Sequence, residues 1–411
     1  MKVAIFTDTY SPDINGVVTS VRILEDELIK HGHQVYIVTS SDNKLISRED
    51  NLIRLPGIQI KKLYNYNFSG FYSSKAIRYL EELNLDVIHT QTEFGVGMFA
   101  RIAALSLDLP LVYTYHTMYE DYTHYLTRYT RGLFEKTMQK TIAQATRIVS
   151  DRSTQLIVPS YKTADMMFRY GIKNTISVVP TGIKLEQFNV DNINQDNIKQ
   201  LRNKLGIKDD DFVMINLGRI APEKNTIEIV EAFKIIKAKN LDYIKLLIVG
   251  DGPALPSLEE EVKNNHLDNV MCIGKIQHSE VATYFHLADG FVSTSLSETQ
   301  GLTYLEAMAS GLFVIARKDK NLLGLIDEDT NGYFIDNSQE LADKIIELSK
   351  CDKTKRQELS TNAFNKAQTY SSDEFYKKIM VVYQNAVASH REKKLASYVE
   401  NKVLTKRKKI I

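Results

Sequence analysis

Apolar residues follow two rhythms along this chain. Continuous short runs, such as KVAIFT from Lys2 and HQVYIVTS from His33, read as strands covered on both faces, because such strands have no polar side to show. VVTSVRILEDELIKHG from Val17 repeats its apolar positions at helical spacing and stops at Gly32. DVIHTQ, PLVYTYH, either RIVS or LIVPS, and TISVVPTG continue the strand series, with KAIRYLEEL and KTADMMFRYG as helices among them. After PTGIKLEQF the chain turns polar, in VDNINQDNIKQ, and the alternation restarts with DFVMINLG, KLLIVGDG, NVMCIG, GFVSTS, LFVIAR and GYFID. Helices such as TIEIVEAFKIIKAK and LPSLEEEVKNN lie between these runs. Strands alternating with helices predict parallel sheets covered by helices, here two doubly wound α/β domains in tandem. The predicted bounds are 1–183 and 201–370, a linker over 184–200, and a last helix with a basic tail over 371–411.

One helix breaks its own pattern. In SETQGLTYLEAMASG, from Ser297 to Gly311, the helix is predicted to start near Gly301, and Leu302, Leu305 and Ala309 form a buried stripe. Glu306 falls inside that stripe. A carboxylate taken from water needs hydrogen-bond donors, so Glu306 calls for an exit to solvent or a partner bearing hydroxyls.

Composition narrows the class. The 411 residues are 43% hydrophobic and 25% charged, as in a globular protein of two domains. Only Cys272 and Cys351 are present, without a C-x-x-C, which argues against a disulfide framework or a cysteine zinc site and for a reducing cytosol. No apolar signal segment follows the start and no run of eighteen apolar residues occurs, so neither secretion by a signal peptide nor a membrane span is expected. Net charge is +1, distributed as +2 over residues 1–183, −7 over 184–370 and +6 over 371–411. That asymmetry points to an anionic surface as a partner.

In doubly wound folds ligands lie beyond the carboxyl ends of strands, so loops that follow strands carry the candidate chemistry. SPDINGV puts Gly16 at a helix N-terminus, where free N–H groups favour phosphate. It lacks G-x-G-x-x-G, and a plain capping turn explains it equally well. LGRIAPEKN brings Arg219 and Lys224 to a strand end, two cations able to neutralise a diphosphate, although solvated surface charge is the commoner fate of such a pair. SETQGLTYLEAMASG begins just after GFVSTSLS, with Glu298 in the loop, Gly301 where backbone can approach a ligand, and Glu306 a turn inside. HTMYEDY places His116 at a strand end, with Glu120 and Asp121 behind it. A lone histidine is usually structural; this one shares its loop with carboxylates and tyrosines. DDD at 209–211 precedes its strand and reads as a turn.

Together these residues resemble the retaining glycosyltransferases of GT-B fold that carry an E-x7-E motif. The likeness covers nearly the whole chain, from the glycine loop through PTGIKLEQF, GRIAPEKN, VGDGP and SETQGLTYLEAMASG to the last helix. It implies two Rossmann-like domains facing a central cleft, with the C-terminal helix crossing back to the N-terminal domain. It also implies a nucleotide-sugar donor site containing Asn15, Gly16, Arg219, Lys224, Lys275, Ile276, Glu298, Gly301, Leu302, Thr303 and Glu306. There Gly16 would lie against the diphosphate, Arg219 and Lys224 would bind phosphates, Glu298 would hold sugar hydroxyls and Glu306 the ribose. His116, Arg219, Lys224 and Glu298 are the implied catalytic set. YTYHTMYEDYTHY resembles the subgroup of membrane-associated enzymes that transfer glucose to diacylglycerol. Gln300, where many relatives have an aromatic residue, agrees with that subgroup, whereas Lys184 stands where an acidic residue is common.

The expected reaction moves glucose from UDP-glucose to 1,2-diacylglycerol, giving α-monoglucosyldiacylglycerol for glycolipid or lipoteichoic-acid anchor synthesis. Alternatives are addition of a second hexose, glucose or galactose, to that product, and transfer to a soluble acceptor. No metal or cofactor is expected. Residues 51–80 bear five basic residues, Arg54, Lys61, Lys62, Lys75 and Arg78, no acidic ones, and aromatics including Tyr64, Phe68 and Phe71. A second basic cluster contains Arg128 and Arg131. With Tyr119, Glu120 and Asp121 these form the expected acceptor and membrane set, holding the protein peripherally on the anionic cytoplasmic face of the membrane. A soluble basic face is the plainer alternative. Nucleic acid fits poorly, since no groove-reading motif or strongly basic domain is present.

Overall fold

The computed structural model describes residues 1–13, 15–42, 45–60, 66–70, 72–116, 135–296, 298 and 300–408. The chain forms two compact units, Met1–Gly182 together with Ser372–Ile411, and Ile183–Ser371.

The first unit holds β1 (Lys2–Thr7), β2 (Gln34–Ser41), β3 (Ser47–Glu49), β4 (Leu52–Ile60), β5 (Tyr66–Ser69), β6 (Val87–Thr90), β7 (Leu111–Thr114), β8 (Gln155–Val158) and β9 (Ile176–Val178). They form one sheet in the order β3-β4-β2-β1-β6-β7-β8-β9, with β5 paired to β4. Pairing is parallel except at β3 and β5, which run antiparallel to β4. Side chains of β1 alternate between two cores. Val3 and Ile5 enter one with the Gly16–Lys30 and Ser372–Lys408 helices, and Ala4 and Phe6 enter another with the Ser74–Glu82 and Gly95–Ser106 helices. Burial on both faces is why KVAIFT has no polar phase. LIVPS supplies β8, while RIVS lies inside the Glu135–Asp151 helix.

The last helix returns to the first unit, as the fold class implies. Phe375, Ile379, Val382, Tyr383 and Ala386 form its buried stripe. At its start the Ser372 hydroxyl donates to Glu27 at 2.7 Å, and the Tyr376 ring stacks on His31 with centroids 3.8 Å apart. The Glu27 carboxylate, 4% exposed, is thereby satisfied together with Lys30 at 3.1 Å.

The second unit holds β10 (Phe212–Leu217), β11 (Ile244–Val249), β12 (Val270–Gly274), β13 (Gly290–Ser293), β14 (Phe313–Arg317) and β15 (Gly332–Ile335). All pair in parallel, in the order β12-β11-β10-β13-β14-β15, which is the doubly wound order about a central first strand. Val213 and Ile215 face one core, Phe212 and Met214 the other. The predicted linker over 184–200 packs into this unit: Phe188 and Ile198 are buried in its core, and Asn194 caps the Gln195–Lys204 helix. At 209–211 the chain does turn, with the Asp211 carboxylate accepting the Lys208 N–H at 2.9 Å.

Loops at the carboxyl ends of β10, β11 and β12 stack backbone on backbone. Gly218 N–H donates to the Val249 carbonyl at 3.0 Å, Gly250 N–H to Gly274 at 2.9 Å and Ile220 N–H to Asp251 at 3.0 Å. A Cβ at Gly250, where φ is +140°, would lie 1.8 Å from the Gly218 carbonyl oxygen. Two rigid main chains meet there, so relief requires the loops to part. Gly250→Ala is expected to cost about 3 kcal/mol, against about 1 kcal/mol for Gly32→Ala, where φ is positive but space is open. Denaturant unfolding of the two variants checks this; equal losses would show that the stacked loops carry no such constraint.

Candidate active site

In the second unit the loop after β10 is held by its neighbours before it presents any chemistry. Asn225 takes a left-handed conformation, φ 51°, and its amide donates to Glu228 at 2.6 Å. Arg317, at the end of β14, grips the same carboxylate at 2.6 and 2.7 Å. The Thr294 hydroxyl donates to the Asn225 carbonyl at 2.8 Å, and Leu296 N–H to that of Glu223 at 2.9 Å. Strand ends β10, β13 and β14 are thus tied into one rim.

On this rim Lys224 and Glu298, 74 positions apart, pair at 2.7 Å with side-chain exposures of 31% and 12%. An ammonium has three donors, so Lys224 can keep Glu298 and still serve a phosphate oxygen. Arg219, exposed, bonds Glu223 through its guanidinium. The main-chain carbonyl of Glu298 accepts from the Asn321 amide, which fixes the loop on the opposite side. Lys275, exposed, and Ile276, half-buried, follow β12.

The helix of the broken pattern spans Leu302–Ala309 and begins at Gly301, whose φ is +78°. A Cβ there would sit 3.0 Å from Leu322 Cδ2. Tyr304, Leu305 and Met308 are buried in the core; Leu302 is half-buried against it, and Thr303 is half-exposed. Among the described residues no side chain is hydrogen-bonded to the Glu306 carboxyl group, and burial pushes it up to about 7. Glu306 itself is half-buried, so both outlets read from the sequence, an exit to solvent and a hydroxyl-bearing partner, stay open in the folded chain.

In the first unit, Asn15 caps the Gly16–Lys30 helix by accepting the Val18 N–H at 3.0 Å, and its amide donates to Thr9 at 3.0 Å. A Cβ at Gly16 would meet nothing within 4 Å, so the loop itself does not demand glycine. His116 follows β7, with Nε2 2.6 Å from the Gln91 side-chain oxygen; burial lowers its pKa to about 4, leaving the ring neutral at physiological pH. Further polar residues on β7 and after β6 were passed over by strand-end reading. The Tyr113 hydroxyl donates to Glu93 at 2.6 Å, and Arg101 lies 4.7 Å above the Tyr113 ring. Both Gln91 and Glu93 sit in HTQTEFG just past β6, so the rule that selected His116 also reaches them.

The first unit thus brings Asn15, Gly16 and His116 to its strand ends, and the second brings Arg219, Lys224, Lys275, Ile276, Glu298, Gly301, Leu302, Thr303 and Glu306 to its own. Of the acceptor and membrane set, Lys75 and Arg78 are exposed on the Ser74–Glu82 helix, and Phe68 belongs to β5. Lys61, Lys62, Tyr64, Phe71, Tyr119, Glu120, Asp121, Arg128 and Arg131 lie outside the described residues.

Residues 14–187 match the family described as Glycosyltransferase Family 4, and residues 197–366 match Glycosyl transferases group 1. The chain is 38% identical over 397 residues to the alpha-monoglucosyldiacylglycerol synthase of Streptococcus pneumoniae, covering 96% of this chain and 88% of that one. With the alpha-monoglucosyldiacylglycerol synthase of Acholeplasma laidlawii it shares 32% over 397 residues, covering 96% and 99%. Its fold matches that of HepE from Anabaena, solved in complex with UDP, with a TM-score of 0.73 at 17% identity over 93% of this chain and 100% of that one. Identity of this extent along the full chain, on two doubly wound sheets, places the protein in the GT-B glycosyltransferase family that includes the alpha-monoglucosyldiacylglycerol synthases.

Proposed function

We propose that the protein transfers glucose from UDP-glucose to 1,2-diacylglycerol with retention, giving α-monoglucosyldiacylglycerol. What carries the proposal is near-full-length identity to two relatives named for that product. Donor recognition is assigned to the second unit, with Lys224 and Arg219 at the diphosphate, Glu298 at sugar hydroxyls and Glu306 at the ribose. Acceptor delivery is assigned to the first unit.

In the reaction, the bond from the glucose anomeric carbon to the UDP oxygen breaks, and a bond from that carbon to the acceptor oxygen forms on the same face. The acceptor proton passes to the departing phosphate oxygen, and UDP leaves. Negative charge grows on the diphosphate while the sugar ring turns oxocarbenium-like. A preorganised donor aimed at such growing charge is worth roughly 3 to 4 kcal/mol, so Arg219, Lys224 and the N–H groups near Gly16 and Gly301 would supply much of the barrier reduction. Neutral His116 would position the sugar or the attacking oxygen by hydrogen bonding.

Among the described residues no helix is long and apolar enough to cross a membrane. We assign attachment to the anionic cytoplasmic surface, supported by exposed Lys75 and Arg78, at about 1 kcal/mol for each cation near the headgroups.

The reaction is tested by incubating the protein with labelled UDP-glucose or UDP-galactose and anionic vesicles containing diacylglycerol or its monoglucosyl derivative. Glucose on diacylglycerol is the expected product; no labelled lipid, or label only on the monoglucosyl lipid, would overturn the proposal. His116→Ala and Arg219→Ala are each expected to cut turnover by about 100-fold or more while vesicle sedimentation stays at the wild-type level. Parallel losses in both measurements would count against their place in catalysis. Glu306→Ala is expected to raise the KM for UDP-glucose by about tenfold, and an unchanged KM would remove Glu306 from the donor site. Ribose hydroxyls donate to its ionised form, so wild-type KM should fall as pH rises through about 7 and level off above, a trend that Glu306→Gln abolishes.

A further inference from the structure

We infer that Gln91 is a positioning residue: its side-chain carbonyl holds His116 as the Nε2–H tautomer, which leaves Nδ1 as the ring's hydrogen-bond acceptor toward the reacting groups. The inference rests on the assignment of His116 to the reaction and goes on to say which ring nitrogen acts.

Gln91 is 2% exposed, and its backbone N–H donates to the Phe6 carbonyl at 2.8 Å, so the residue is fixed where β1 and β6 end. Its Oε1 lies 2.6 Å from His116 Nε2. An amide oxygen has no hydrogen to give, so the ring nitrogen must donate. A neutral imidazole carries one N–H, and placing it on Nε2 leaves a lone pair on Nδ1.

The other end of the amide meets His89. Gln91 Nε2 is 3.1 and 3.3 Å from the two ring nitrogens of His89. His89 is fully buried and held neutral by burial, at about 3, and its nitrogens also meet the Tyr383 hydroxyl at 2.8 Å and the Thr114 hydroxyl at 2.7 Å. The observed orientation gives a donor to His89 and an acceptor to His116. A buried line of side chains, begun by Tyr383 on the last helix, thereby reaches a ring at the strand ends. With Nδ1 as acceptor, His116 can receive a hydrogen bond from a sugar or lipid hydroxyl; the other tautomer would present N–H there.

Long-range proton–nitrogen correlation spectra of the full chain, labelled with ¹⁵N-histidine and with His116→Asn used for assignment, read the tautomer directly near neutral pH. The wild-type protein is expected to show the Nε2–H pattern at His116. Gln91→Leu should abolish that preference and lower kcat by at least about tenfold, with the KM for UDP-glucose changed by less than about threefold. Gln91→Glu keeps an oxygen facing Nε2 and should retain the Nε2–H, while its carboxylate favours the imidazolium and so raises the pH above which Nδ1 is free to accept and kcat recovers. A wild-type Nδ1–H pattern, measured without any variant, would overturn the inference. So would wild-type kcat in Gln91→Leu while His116→Ala is inactive. Full activity in His116→Ala would instead remove His116 from the reaction and the role of Gln91 with it.

Discussion

Parallel pairing about β1 in one unit and β10 in the other governs the rest of the structure. Parallel neighbours cannot be joined by a tight turn; each strand must return through a crossover long enough for a helix. Every strand but the antiparallel β3 and β5 therefore begins on one edge of its sheet and releases its loop on the other. Residues scattered through the sequence, such as Arg219, Lys224 and Glu298, are gathered because each leaves a strand in the same direction. Backbone stacking of the loops at Gly218, Gly250 and Gly274 then gives the edge a fixed shape, since main chain at hydrogen-bond distance has little freedom to shift.

Desolvation acts on what is gathered there, and it treats the two signs of charge differently from place to place. Lys224 and Glu298 remain an ion pair because each neutralises the other as water is excluded. Among the described residues Glu306 has no such neighbour, and burial shifts its equilibrium toward the protonated acid. His116 moves toward the neutral base for the same reason. A single cause thus leaves one edge with a fixed ion pair and the other with an uncharged ring able to donate and accept.

Much of the fold is legible in the apolar runs, because strands buried on both faces leave an unbroken signature. What stayed hidden is physically distinct. In β4 the run LIRLPGIQI is interrupted by Pro56 and Gly57, and its pairing with β2 comes from tertiary context. The Gly95–Ser106 helix opens on two glycines, and Gly97 is needed because a Cβ there would lie 1.9 Å from the Thr92 carbonyl oxygen. At the strand ends, the loop rule selects Glu298 and Lys224 separately, but their contact spans three crossovers and has no local signal. Gln91 was passed over because its strand was read only as a strand; the partner that gives it meaning is a histidine on the next one.

The first unit is interrupted in sequence by the second. As the chain is synthesised, Met1–Gly182 emerges without the residues that cover one face of its sheet: Phe375, Ile379, Val382 and Tyr383 come last. The second unit is one continuous segment and has all its parts earlier. Until the Ser372–Lys408 helix is made, Val3, Ile5 and Val112 share their core with one helix, Gly16–Lys30, in place of two.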